Sequence, residues 1–127
     1  MGTRSTIGYI ENGILFQIYC HWFGYISNNG KLLVNHYNTL EKIKELFSFG
    51  NVSSLDESIQ KTTFYYRDRK EELELPTESP FTRKNLTGFV PKWQEEYNYI
   101  FFNNFWYVLY YENSWKRLTP NIIKSYK

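Results

Sequence analysis

The chain has 127 residues, 42% hydrophobic and 20% aromatic, with a net charge of +2 at neutral pH. That length supports one domain, spanning 1–127, whose core needs neither disulfides nor metal. A single cysteine excludes an internal disulfide and fits a reducing cytosol, and so small a charge does not by itself imply a nucleic-acid partner. No apolar run approaches the roughly 18 residues a membrane span needs, and no secretory apolar segment is evident near the N-terminus. Twelve Tyr and four Trp are too many to bury with satisfied polar tips, so part of this aromatic content must line a surface, as it does at recognition sites.

Residues 3–10 are β-branched and aromatic, and Glu11-Asn12-Gly13 supplies a hairpin turn, because Asn and Gly tolerate the positive φ of a tight turn. Residues 14–21 pair back. Their alternation puts Ile14, Phe16, Ile18 and Cys20 on a core face and Leu15, Gln17, Tyr19 and His21 on the other. Residues 22–29 break the pattern as a loop. A short helix then follows Gly30 over 31–37, and Asn38-Thr39 caps a second over 40–49 with Leu40, Ile43, Leu46 and Phe47 as its apolar stripe. One helical turn is expected at 56–61, and Phe64-Tyr65-Tyr66 reads as a third strand. The charged run 67–72 follows, and the Pro- and Ser/Thr-rich stretch 76–87 reads as an irregular connection. Pro91 opens an expected short helix over 92–97. Residues 97–102 and 105–111, joined by Asn103-Asn104, form a second hairpin, apolar enough to be covered on both faces. A short edge strand at 115–118 and a helix over 121–127, capped by Thr119 with Pro120 at its first position, complete the chain. The expected fold class is α+β: a single antiparallel sheet of four to six strands, with a few short helices mainly on one face.

The sequence also resembles, over nearly its whole length, a family of small uncharacterised proteins of phages, prophages and plasmids. The resemblance rests on Met1 to Ser5, on Tyr19, His21, Trp22, Gly24 and Tyr25, and on Gly30 and Leu33. Looser matches are His36-Tyr37, Gly50, Ser53-Ser54-Leu55, Arg67-Asp68-Arg69, Tyr97, Tyr99 and Trp106. The family pattern carries Asp between the Trp and Gly of the loop, where this chain has Phe23. An apolar ring cannot perform acid–base or ligand chemistry, so the exchange favours binding over catalysis. By analogy with short, single-domain anti-CRISPR proteins, the resemblance implies a non-enzymatic inhibitor in the host cytosol. Its partner would be a host protein, with a CRISPR effector nuclease as the specific expectation, and it would need no cofactor.

The residues themselves offer weaker alternatives. Cys20 and His21 suggest a nucleophile and base, but neighbours on a strand point to opposite faces. Cys20, His21 and His36 lack the spacing of a structural metal site, and the loop lacks a nucleotide-binding glycine pattern. Arg4 is a candidate anion contact for a small enzyme or ligand-binding protein built on the same loop. Arg67, Arg69 and Lys70, with Arg83, Lys84, Tyr65 and Tyr66, suggest an RNA-binding module, which the following glutamates disfavour. The expected contact surface is therefore Arg4, Tyr9, His21, Trp22, Phe23 and Tyr25, together with Arg67, Arg69 and Lys70 in the charged segment.

Overall fold

The computed structural model describes residues 2–110 and 114–126. In chain order its elements are β1 (Ser5–Glu11), β2 (Ile14–Cys20), a π-helical turn (Ile26–Gly30) running into α1 (Lys31–His36), α2 (Leu40–Phe47), β3 (Val52–Ser54), β4 (Thr63–Phe64), β5 (Thr77–Pro80), β6 (Tyr97–Phe102), β7 (Phe105–Tyr110), β8 (Lys116–Arg117) and α3 (Pro120–Ser125). Both hairpins form about left-handed turn residues, with φ of 54° and 75° at Asn12 and Gly13 and of 51° and 70° at Asn103 and Asn104. Thr39 and Thr119 cap α2 and α3, their side-chain oxygens accepting from Lys42 N at 3.3 Å and Ile122 N at 3.2 Å.

The strands form one sheet in the order β4-β3-β2-β1-β6-β7-β8, with β5 paired to β2 as the eighth strand. The fold is α+β, but the sheet is mixed and eight-stranded, which corrects the expectation of an antiparallel sheet of four to six strands. The two hairpins meet through their first strands, β1 and β6, in parallel register from Ser5↔Tyr97 to Tyr9↔Phe101. Alternation defines each hairpin locally but is silent on how two hairpins join. The long return through residues 21–96 enters β6 in the direction of β1, as a parallel neighbour requires. The outer edge of β2 is shared: β3 joins it in parallel at Cys20↔Val52, and β5 pairs antiparallel along Ile14–Gln17. Thr77-Glu78-Ser79-Pro80 carries no apolar alternation, because β5 is largely exposed and its proline sits at the strand's last position.

Each face of the sheet is covered. Ile7, Tyr9, Ile18, Cys20, Tyr97, Tyr99 and Phe101 pack in one cluster with Leu33 of α1 and Ile43, Leu46 and Phe47 of α2; Ile122 and Ile123 of α3 lie against it. Leu15 and Ile100 face the other way and meet Phe81 and Leu86 in a smaller cluster. The β2 face opposite the helices is thus covered in part, with Leu15 and Gln17 0% and 2% exposed and Tyr19 and His21 half-buried.

Other expected elements shift. No helix forms over 92–97. The Asn98 side chain instead accepts from Glu95 N and donates to Glu95 O, both at 2.9 Å, so side chain–backbone bonds replace the helical ladder. The strand expected at 64–66 forms at Thr63–Phe64 as β4, the fourth in chain order, and α2 ends at Phe47, two residues short of Phe49. The expected helical turn at 56–61 is a turn closed by Thr62 N donating to Ser58 O at 3.0 Å. Tyr111 of the second hairpin and Lys127 of the last helix lie outside the described residues. Among the described residues, no helix is long and apolar enough to cross a membrane.

Candidate functional site

The end of β2 leads into a loop held from beneath. His21 N and Trp22 N donate to the carbonyls of Val52 (3.1 Å) and Ser53 (3.0 Å), extending the β2–β3 pairing by two residues. Gly24 N donates to Thr3 O at 2.8 Å, and the buried Tyr99 hydroxyl donates to Gly24 O at 2.6 Å. Asn29, fully buried in the π-helical turn, donates to Ser5 Oγ at 3.2 Å and to Cys20 Sγ at 3.3 Å. The N-terminal strand entry is part of this support. A Cβ on Gly2 would lie 2.3 Å from His21 O, and one on Gly24 would lie 2.6 Å from Thr3 O, so only glycine lets these two segments touch.

On this base stand three exposed rings: Trp22 (37%), Phe23 (48%) and Tyr25 (37%). Phe23 has φ of 57°, a left-handed conformation that costs a bulky residue about 1–2 kcal/mol. Asn28 Nδ2 donates to Phe23 O at 3.1 Å and helps to fix that conformation. The hydrogen bonds around the loop hold this conformation, in which the Phe23 ring is 48% exposed.

The rings continue as a band. Centroids are 6.4 Å apart for Phe23–Tyr25, 6.3 Å for Trp22–Phe23, 4.7 Å for His21–Trp22, 5.8 Å for Tyr19–His21 and 6.4 Å for Tyr19–Trp93. The Tyr19 hydroxyl and His21 Nδ1 share a 2.6 Å hydrogen bond. Burial pushes the Tyr19 hydroxyl above its ordinary pKa, with Arg4 opposing, so Tyr19 stays protonated at neutral pH. At its Trp93 end the band enters a cleft of about 400 Å³. Tyr19, Tyr65 and Trp93 line it with Glu71 and Glu74, over a floor that includes Gln17.

The structure divides the expected contact residues. Arg4, His21, Trp22, Phe23 and Tyr25 gather at the band; Arg4 is exposed and close enough for its charge to act on Tyr19. Tyr9 does not belong with them. It is 7% exposed, stacked on Phe16 at 4.9 Å and set edge-on to Phe47, because its position in β1 faces the helices. Arg67 also turns inward. Its guanidinium donates to Ile59 O (3.0 Å) and Thr62 O (2.7 Å), pairs with Asp68 (2.9 Å), and lies 4.9 Å over the Phe64 ring and 5.5 Å from that of Phe49. Asp68 in turn accepts from Phe64 N at 2.8 Å, so the pair closes the turn after β4. Arg69 lies over Tyr65 at 5.1 Å and 3.6 Å from Glu71, while Lys70 Nζ donates to Arg67 O at 3.3 Å.

Cys20 is fully buried. Burial drives its thiol above the ordinary value, against the pull of the Asn29 hydrogen bond, which is the environment of an inert thiol rather than a nucleophile. The cleft is lined by neither Cys20, His21, His36 nor Arg4. Among the described residues, no three His, Cys, Asp or Glu side chains converge to hold a metal ion. Sequence reasoning missed Trp93 and the cleft. The available signal was a large ring stranded in the polar run Lys92-Trp93-Gln94-Glu95-Glu96. No family model, curated protein sequence or solved structure matches this chain.

Proposed function

We propose that the chain acts by binding, docking on a host protein through the aromatic band and blocking it in the manner of an inhibitor of host defence. The observation that carries this reading is the contiguous exposure of Trp22, Phe23 and Tyr25 on a loop immobilised from below. Large rings held rigid lose little entropy on association and bury much area, which is why Trp and Tyr dominate interface hot spots. The strained φ of Phe23 is hard to account for by stability alone, since it exposes an apolar ring at a conformational cost. The resemblance to proteins of phages and plasmids supports placing this activity in a mobile element, and it makes a CRISPR effector nuclease the first target to test.

The test is gel filtration of the purified chain with a panel of such effectors, beside unbiased capture from host lysate. The reading expects a stoichiometric complex that survives filtration and is lost on Trp22→Ala. A complex with no effector sinks the CRISPR assignment. Capture that is indifferent to Trp22, Phe23 and Tyr25 sinks the docking surface itself.

A further inference from the structure

We propose that the cleft at the Trp93 end of the band seats an arginine side chain of the docked protein; this rests on the docking reading above. Three aromatic residues, Tyr19, Tyr65 and Trp93, line the cleft, and Glu71 and Glu74 supply two carboxylates in the same lining. A planar guanidinium is the group that satisfies both, stacking on rings while its N–H fork meets carboxylate oxygens. Gln17 adds a separate indication. It is 2% exposed and lines the cleft, and its Nε2 donates to Trp93 O at 3.2 Å. Among the described residues its Oε1 accepts no hydrogen bond and no fully enclosed side-chain oxygen or nitrogen lacks a partner, so this acceptor retains some exposure on a residue that lines the cleft.

The chain's own Arg69 illustrates the chemistry at the rim, with its guanidinium 5.1 Å over Tyr65 and 3.6 Å from Glu71. That contact is half exposed and leaves Trp93, Tyr19 and Glu74 to an incoming group. Glu74 is already oriented, accepting from Asn51 Nδ2 at 3.0 Å, while Asn51 Oδ1 accepts from Tyr19 N at 2.9 Å. Carboxylate and aromatic wall are thus fixed to each other before any ligand arrives. The cleft and the exposed rings share the Trp93–Tyr19–His21–Trp22 band, so a protein resting on Trp22 and Phe23 has the cleft within reach of a neighbouring side chain.

The experiment is a ¹H–¹⁵N titration of the full chain with N-acetyl-arginine N-methylamide, following the Trp93 indole N–H, which Trp93→Phe identifies. The expected result is a saturable shift with millimolar affinity, the scale of one side chain acting alone. N-acetyl-citrulline N-methylamide, isosteric but neutral, should bind at least about tenfold more weakly, since charge-assisted hydrogen bonds are roughly twice as strong as neutral ones. Glu74→Gln, which keeps an acceptor for Asn51, should reproduce that loss. Equal response to citrulline, or none of the indole to arginine, overturns the proposal. So does free L-arginine binding tenfold more tightly than the blocked form, which would assign the cleft to a small metabolite. If the probe fails while Trp22→Ala still abolishes capture of the host protein, the cleft assignment falls and the docking reading stands. The converse result removes the docking reading, and with it the docked protein as the source of the arginine, and leaves only a guanidinium-binding cleft.

Discussion

The loop at 22–30 and the turn at 64–71 both carry clustered rings, the turn with cations of its own, yet they direct them oppositely. In the turn, Arg67 reaches back to carbonyls of Ile59 and Thr62 and lies over Phe64, so its charge is consumed within the fold. In the loop, the polar groups beneath, Tyr99, Asn29 and the Thr3 carbonyl, hold the backbone, and the rings of Trp22 and Phe23 are left to solvent. Composition alone does not separate a structural arginine from a contact arginine. What separates them is whether unpaired backbone acceptors lie within reach, because a buried carbonyl without a donor is costly and recruits the nearest cation.

This contrast predicts different responses to substitution. The largest expected effect on stability is Arg67→Ala, which strands the Ile59 and Thr62 carbonyls and removes packing from Phe64. About 2–4 kcal/mol should be lost in urea denaturation. A loss under about 0.5 kcal/mol would return Arg67 to the contact surface. Next is Tyr99→Phe, which removes the buried donor to Gly24 O and should cost about 1–3 kcal/mol. It should also speed hydrogen exchange at the loop amides, and unchanged exchange would mean that the loop is not held from below. Phe23→Asn acts in the opposite direction. Asn accepts the left-handed φ, so stability should rise by about 0.5–1 kcal/mol while partner binding falls. A loss of stability would show the Phe23 ring packing rather than presented.

The smallest effect is a pH dependence. The Arg67 hydrogen bond, followed by that from Phe64 N, holds the Asp68 carboxyl below its ordinary value of 3.8. The folded form therefore binds its proton less readily than the unfolded chain. This contribution to stability is present above about pH 4 and is lost as the pH falls through the depressed folded value. Asp68→Asn should flatten the acid limb of a melting-temperature profile, with partial exposure keeping the difference small. An unchanged limb would remove Asp68 from the turn's closure.

Both hairpins are legible in the sequence because their signals are local: Asn12-Gly13 and Asn103-Asn104 turns between apolar arms. The caps of α2 and α3 are legible for the same reason. The parallel β1–β6 junction is not, because no residue pattern within a strand encodes its non-local neighbour. Tyr9 illustrates the ambiguity of tyrosine, whose ring suits a core and a surface equally. Only its parity with Ile7, opposite the helices, decides the matter. At the site, Trp22, Phe23 and Tyr25 could be picked out because they interrupt a strand pattern. The cleft could not, since its walls come from β2, the turn after β4 and the segment before β6.

On the proposed docking reading, the exposed rings of the loop outweigh the cations of the turn in partner capture. Trp22→Ser and Lys70→Ser can be compared side by side for affinity to the captured host protein, with melting temperatures confirming that both variants are folded. The exposed ring should behave as a hot spot and lose at least about tenfold in affinity, while the exposed lysine should change it less than about threefold. The reverse order, with Lys70→Ser disruptive and Trp22→Ser neutral, would place the contact surface on the turn and not on the loop.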